Sequence, residues 1–457
     1  MTGYGYTYDY TKMMFMKLFL ASPNTRDGGS HVNCTFAEAL DVIRKTDALT
    51  QGVQKIIYLV GWQYDGHDDR YPAFFKVNEA LKRPEDETAL DSMLWLIKEA
   101  KQYNTIVSVH VNFCDVYEDS PLWNTYVAAN AVIRDRNGAP DPIENYNGKP
   151  CYKVSFKEEW ESGLFVERFH RLLDLLPIQK LGTMHVDNFL CCYNNCPEVD
   201  IAEMQSYRDK ILDYIRLCGI DVTSEFPYRE GPAGRETYSH FCMGTTMYPI
   251  STLGRIPAFW WFDNLTDEEV CALPPAYFGG GLCHDPAFAS VLYGNMHGED
   301  IWVGDNLTDD KWCAPFLRQF CMVQVPYFWL CEHKRLSVVT APDGSKTVTH
   351  ESGIVCRGID QSITQNGMTL KTDRRMLLPL PHGTMSRTQS TFIAYSDDAG
   401  EFAFTVPGTE SITDENPVSA HVFRITPHGN EPKDDAEIRY GAVTLYLEAG
   451  EAVLLTL

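Results

Sequence analysis

The sequence predicts a (β/α)8 barrel over residues 1–332 followed by an antiparallel β-sandwich over residues 333–457. Three observations carry this expectation. Up to about residue 330, short β-branched apolar runs alternate with longer amphipathic stretches, the pattern of strands joined by crossover helices. Polar residues stand at the C-terminal ends of successive runs, the face on which barrel sites assemble. After CMVQVPYFWLCEHKRL the spacing changes to short alternating runs separated by turn-forming segments.

Met16–Ala21 reads as the first strand. KIIYLVG (55–61), TIVSVHVNF (105–113), GTMHVDNF (182–189) and DVTSEF (221–226) read as parallel strands. Between them, ETALDSMLWLIKEAKQY, EEWESGLFVERFHRLLDLL and AEMQSYRDKILDYIRLC place apolar residues three and four apart, the spacing of amphipathic helices. The last ends at Gly219, which accepts a left-handed cap. An open doubly wound sheet shares this alternation, and the strand-end residues His110, Asn112, Asp187 and Glu225 favour the barrel. No GxGxxG or GxxxxGK[ST] occurs to indicate nucleotide binding. In the C-terminal part, STFIAYS, EFAFTV, AHVFRIT and AVTLYL read as antiparallel strands, and APDGSKT, SDDAG, PHGNEPKDD and LEAGE as their turns.

Composition narrows the function. With 62 acidic and 39 basic residues the formal charge is -23, a surface that repels phosphate backbones and anionic lipid heads, so nucleic-acid and membrane partners are excluded. No apolar stretch approaches the roughly 20 residues that cross a bilayer. The first apolar run has no basic leader and is broken by Lys17, and the 14 cysteines read as reduced thiols. The expectation is a cytoplasmic protein. Aromatic residues make up 12% of the chain, a supply for a core and equally for stacking on sugar rings.

Three signals carry chemistry. The first is Asp187 in MHVDN, a carboxylate at the end of a buried run, where it is either hydrogen-bonded as a loop cap or used. The second is Glu225 in TSEF, one βα unit later, flanked by Ser224 and Phe226. Desolvation there suits it to general acid work, whereas pairing with Arg229 or Arg235 is the structural alternative. Adjacent barrel strands would present both across one mouth, as a retaining glycosidase requires of carboxyl groups roughly 5–5.5 Å apart. The third is the loop GWQYDGHDDRYP (61–72), where Asp65, His67, Asp68 and Asp69 stand beside Trp62 and Tyr64, offering carboxylates for hydroxyls and a stacking face. A Ca²⁺ loop would want DxDxDG spacing, which is absent, and no metal is expected.

YLVGWQYDGHDDRYPAFFKVNEAL, then YNTIVSVHVNFCDVYEDSPLW, HVDNF and TSEF, together resemble the catalytic barrel of glycoside hydrolase family 101, the endo-α-N-acetylgalactosaminidases of O-glycan breakdown, and its relatives in family 129. The resemblance covers roughly residues 35–230 with the motifs in order. It implies a retaining double displacement with Asp187 as nucleophile and Glu225 as acid/base, no cofactor, and sugar hydroxyls held by His67 and Asp68. Trp62, His110 and Asn112 join them as substrate-binding candidates, and Trp260, Trp261, Asn295 and His297 as later-strand contributors. CCYNNC (Cys191, Cys192, Cys196) has neither paired CxxC nor His partners and reads as free thiols. The expected function is hydrolysis of α-linked N-acetylgalactosamine or galactose from small glycosides or glycopeptides. The alternatives are an α-galactosidase-type enzyme and a sugar-binding barrel that has lost catalysis.

Overall fold

The computed structural model describes residues 7–8, 12–187, 189, 200–224, 266–272, 307, 310–380, 390–409, 411–413 and 416–457. Runs rich in Ile, Val and Leu form five parallel strands: β1 (Met14–Phe19), β2 (Lys55–Val60), β3 (Thr105–Asn112), β4 (Thr183–Asp187) and β5 (Asp221–Ser224). They lie side by side in chain order. Each neighbour being the next strand in sequence, the described part of the sheet has no reversal of order, in contrast to a doubly wound sheet.

Four helices supply the crossovers: α1 (Phe36–Leu49), α2 (Ala89–Glu99), α3 (Leu164–Leu175) and α4 (Ile201–Leu217). Local sequence starts them. Thr35 with Glu38 and Thr88 with Asp91 close capping boxes on α1 and α2, and the Asp200 carboxylate accepts the Ala202 and Glu203 amides ahead of α4. The long helix expected from EEWESGLFVERFHRLLDLL is two helices, Phe156–Glu161 and α3, because Gly163 between them takes φ +79. The helical spacing continues across this break, which hides it from periodicity.

Side chains alternate along each strand, so the sheet has two faces of opposite character. Met16, Leu18, Ile57, Leu59, Val109, Val111, Met184 and Val186 share one face and pack in a continuous cluster with Phe36 and Val42 of α1, Met93 of α2, Phe165 and Phe169 of α3 and Ile211 of α4. The other face carries polar rungs. Lys17, Tyr58 and Ser108 are register partners on β1–β3; His110, His185 and Thr223 on β3–β5; and Asn112 and Asp187 at the strand ends. Except for Asp187, every member of these rungs is fully or almost fully buried. A sheet that buries polar groups in rungs on one face and aliphatics on the other is built to enclose a site.

Between β3 and α3 the chain inserts a small antiparallel sheet of Asp115–Val116, Lys149–Lys153 and Pro142–Tyr146. Its hairpin turns at Asn147-Gly148, both with positive φ (51° and 74°), as a two-residue turn of this kind requires.

From Arg335 onward the described strands form one antiparallel sheet of thirteen strands. It folds over its own apolar cluster, in which Leu377, Phe392, Val422, Leu445 and Val453 meet. Thr391–Ser396 is buried along its whole length because it serves two cores. Phe392 and Ala394 face that cluster, whereas Ile393 and Tyr395, with Met376 and Leu454, join the main core alongside Phe320 and Val325. Arg318 fixes the contact with a two-pronged bond to Asp397, 2.8 Å at each oxygen. No helix among the described residues is long and apolar enough to cross a membrane.

Candidate active site

The site is assembled where β2, β3 and β4 end. Asn112 is the last residue of β3 and Asp187 the last of β4, and they are register partners. The Asn112 amide is locked, since its Oδ1 accepts the backbone N–H groups of Cys114 (2.8 Å) and Asp115 (2.9 Å). Its Nδ2 donates to Asp115 Oδ2 at 2.9 Å and to Asp187 Oδ2 at 3.4 Å. Asp187 keeps 15% of its side chain exposed, and His110 Nε2 stands 3.9 Å from its Oδ1.

His110 is 2% exposed, and among the described residues neither ring nitrogen has a hydrogen-bond partner. Buried polar groups in native proteins are nearly always paired, so this imidazole beside a carboxylate calls for a partner other than the described residues. The ring is stacked on His185 at 5.2 Å and edge-on to His67 at 5.3 Å. Burial, reinforced by Lys17 on the same face, holds His110 and His185 well below the usual imidazole range, so both are neutral. His185 Nδ1 meets the Thr223 hydroxyl at 2.9 Å.

The loop after β2 brings His67 and Asp68 to the same place. It bends back on the hairpin that follows β1, in which Ala21–Pro23 pairs with Ser30–Val32, through His67 N–H to Ala21 O, 2.9 Å. The Tyr71 hydroxyl accepts the Asp68 amide at 3.1 Å and lies 3.1 Å from His67 Nδ1. On the other side of the ring, His67 Nε2 stands 3.6 Å from Asp68 Oδ2. Burial, with smaller contributions from Asp187 and Asp115 against the opposing pull of His67 and Lys153, pushes the Asp68 carboxyl up to about 6.

That shift has a sign. A carboxyl with a raised folded pKa binds its proton more tightly in the native state, so the stability it contributes is lost as pH rises from about 4 to about 6. Asp68→Asn removes the titration. Relative to wild type, the variant should gain roughly 2–3 kcal/mol of unfolding free energy between pH 4 and pH 7, measured by urea unfolding at each pH. A constant difference across that range contradicts the shift.

Not every candidate faces the site. Trp62 is fully buried, stacked on Phe74 at 6.1 Å, with its indole N–H donated to His110 O at 3.0 Å. It is a strut beneath His110 and offers no free face to a sugar ring, which corrects the expectation drawn from its motif. Asp69 is likewise taken, bonded to Arg70 at 3.0 Å and Lys149 at 2.7 Å. Glu225, Cys191, Cys192, Cys196, Trp260, Trp261, Asn295 and His297 lie outside the described residues.

Other site residues went unnoticed in the sequence. Lys17, Tyr58, His185 and Thr223 belong to the polar rungs, and the alternation S-x-H-x-N in β3 and T-x-H-x-D in β4 is the signal that finds such a face. Asp115, Glu144 and Cys151 bring three ligating atoms within 4.8 Å of one another. Lys153 Nζ, 2.6 Å from both carboxylates, already fills the position a cation would take.

A family model described as endo-α-N-acetylgalactosaminidase, glycoside hydrolase family 101, matches residues 26–256, just over half of the chain and the whole span from the first loop past the last described parallel strand. The chain belongs to glycoside hydrolase family 101. Among solved structures, this family 101 chain is similar to α-N-acetylgalactosaminidase NagBb from Bifidobacterium bifidum in complex with GalNAc, with 13% identity and a TM-score of 0.45 over 78% of this chain and 57% of that one. It thus spans a little over half the length of that protein. It is also similar to an α-amylase from Geobacillus thermoleovorans complexed with acarbose, at 10% identity, a TM-score of 0.44 and 98% of each chain.

Proposed function

We propose that this family 101 chain is a retaining glycosidase that hydrolyses α-linked N-acetylgalactosamine, or galactose, by double displacement at a site on a closed (β/α)8 barrel. The barrel would occupy residues 1–332, with residues 333–457 as a β-sandwich against it. Asp187 attacks the anomeric carbon, and Glu225 protonates the departing oxygen and then takes a proton from the hydrolytic water. His67, Asp68, His110 and Asn112 hold the sugar.

The observation that carries this reading is the placement of Asp187, a partly exposed carboxylate at a strand's C-terminal end, 3.9 Å from a neutral imidazole that has no hydrogen-bond partner among the described residues. Support for the pair comes from register. Ser224 on β5 is opposite Val186 on β4, and each is followed in the chain by one of the two proposed carboxylates. Neighbouring strands are about 4.8 Å apart, near the nucleophile-to-donor separation of a retaining enzyme.

A panel of aryl α-glycosides, with product anomers followed by NMR, tests the proposal. Release of α-GalNAc or α-galactose as the first-formed anomer is the expected result. The β-anomer as first product rules out double displacement, and binding without turnover of any member leaves a sugar-binding barrel instead.

A further inference from the structure

We propose that Asp115 and Lys153 are positioning residues for Asp187, acting through the Asn112 amide: Lys153 fixes Asp115, and Asp115 sets the direction of the N–H that holds the reacting carboxylate. The inference rests on the assignment of Asp187 as nucleophile.

The geometry forms an unbroken chain. A primary amide has two N–H groups in one plane, and Asn112 spends them on two carboxylates, Asp115 at 2.9 Å and Asp187 at 3.4 Å. The amide plane is held at its oxygen by the Cys114 and Asp115 backbone N–H groups and at its nitrogen by the Asp115 carboxylate, the shorter of the two Nδ2 bonds. Asp115 is 3% exposed and is itself held from the other side, its Oδ1 2.6 Å from Lys153 Nζ. Asp115 and Lys153 are register partners in the inserted sheet, so backbone pairing sets their separation. Lys153, 5% exposed, also meets Glu144 Oε2 at 2.6 Å, and Glu144 takes the Tyr146 hydroxyl at 2.8 Å.

The surroundings explain why a cation is needed. Lys153 faces the carboxylates of Asp115 and Glu144 and the Cys151 thiol, with Asp68 further off; Asp115 in turn faces Asn112, Cys151 and Lys153. On the strand side, Asp187 has Asn112, His110 and, more distantly, Asp68. With both imidazoles neutral, Lys153 is a close positive charge for an acidic cluster. Burial alone would lower its pKa, but the surrounding acids outweigh that and raise it, so it stays charged throughout the working range. Without it, the buried Asp115 carboxylate loses the cation that holds it in place, and its bond to Asn112 loosens just where Asp187 needs a fixed partner.

Lys153→Met and the double variant Asp115→Leu/Lys153→Met are the tests, with Asp187→Ala alongside, each checked for fold by circular dichroism and thermal melting. The single change leaves a buried carboxylate without its partner, whereas the double change removes both members of the pair and spares the fold. In whichever variant is folded, kcat on an aryl α-GalNAc glycoside should fall about 10- to 100-fold, KM should stay within roughly threefold, and the acid limb of kcat/KM should move to higher pH. A folded double variant with kcat within twofold of wild type and an unmoved acid limb overturns the proposal, given an inactive Asp187→Ala. An active Asp187→Ala rejects the nucleophile assignment itself, a result the double variant cannot mimic.

Discussion

With Asp187→Asn, turnover of an aryl α-GalNAc glycoside falls by on the order of 10⁴-fold or more, while the melting temperature stays close to that of wild type. The amide is not a nucleophile, so the first displacement has no attacking group. The fold loses little, because the side chain is partly exposed and Asn112 Nδ2 needs only an acceptor oxygen, which a carboxamide still supplies. A sharper version uses Asp187→Ala with azide. The small anion enters the vacated space on the same side of the sugar, forms the C1–N bond as the C1–O bond breaks, and gives the β-glycosyl azide. Recovery of turnover with that product places the missing carboxylate on the β-face. Wild-type turnover in Asp187→Asn without azide ends the assignment.

The second large effect is on stability. Gly61, directly after β2, has φ +73, and a Cβ built there lies 1.9 Å from Ala21 O and 2.9 Å from Ala21 C. Gly66 meets the same backbone, its Cβ 2.5 Å from Ala21 O. These obstacles are main-chain atoms of a paired hairpin and cannot swing aside as a side chain would. Gly61→Ala therefore adds a left-handed penalty of about 1–2 kcal/mol to overpacking of about 1–3 kcal/mol, or more. The expected loss is about 3 kcal/mol or more, with KM for the glycoside rising as the loop carrying His67 and Asp68 is pushed off the hairpin. Gly138→Ala is the control. Gly138 has a similar φ of +81 but nothing within 4 Å of its Cβ, so only the conformational penalty remains. Equal losses in the two variants, read by chemical unfolding, contradict the role given to the close approach.

Much of the parallel sheet was legible because each strand's apolar run is bounded by turn residues and its chemistry sits at the end. Asp187 and Asn112 were found that way. Other elements had signals that periodicity passes over. α1 is announced by the capping box of Thr35 and Glu38, and the inserted hairpin by Asn147-Gly148 amid otherwise polar residues. Trp62 misled because its sequence neighbours are polar, yet its ring points away from them, into Phe74 and under His110. Lys153 was invisible for a different reason. It reaches Asp115 across a strand pairing that spans most of the insertion, and no local pattern reports a partner so distant in sequence.

The division of the sheet into an aliphatic and a polar face limits how this chain can change its length. In β3, Val107, Val109 and Val111 serve the helices while Ser108, His110 and Asn112 serve the opposite side, one residue out of phase. Deleting a single position within that strand would trade the two sets wholesale, with valines turned to the chemistry and imidazole to the helix layer. Insertions and deletions are thereby confined to the connections, and the stretch between β3 and α3 shows the outcome, a whole three-stranded sheet accommodated without shifting one rung of the strands on either side.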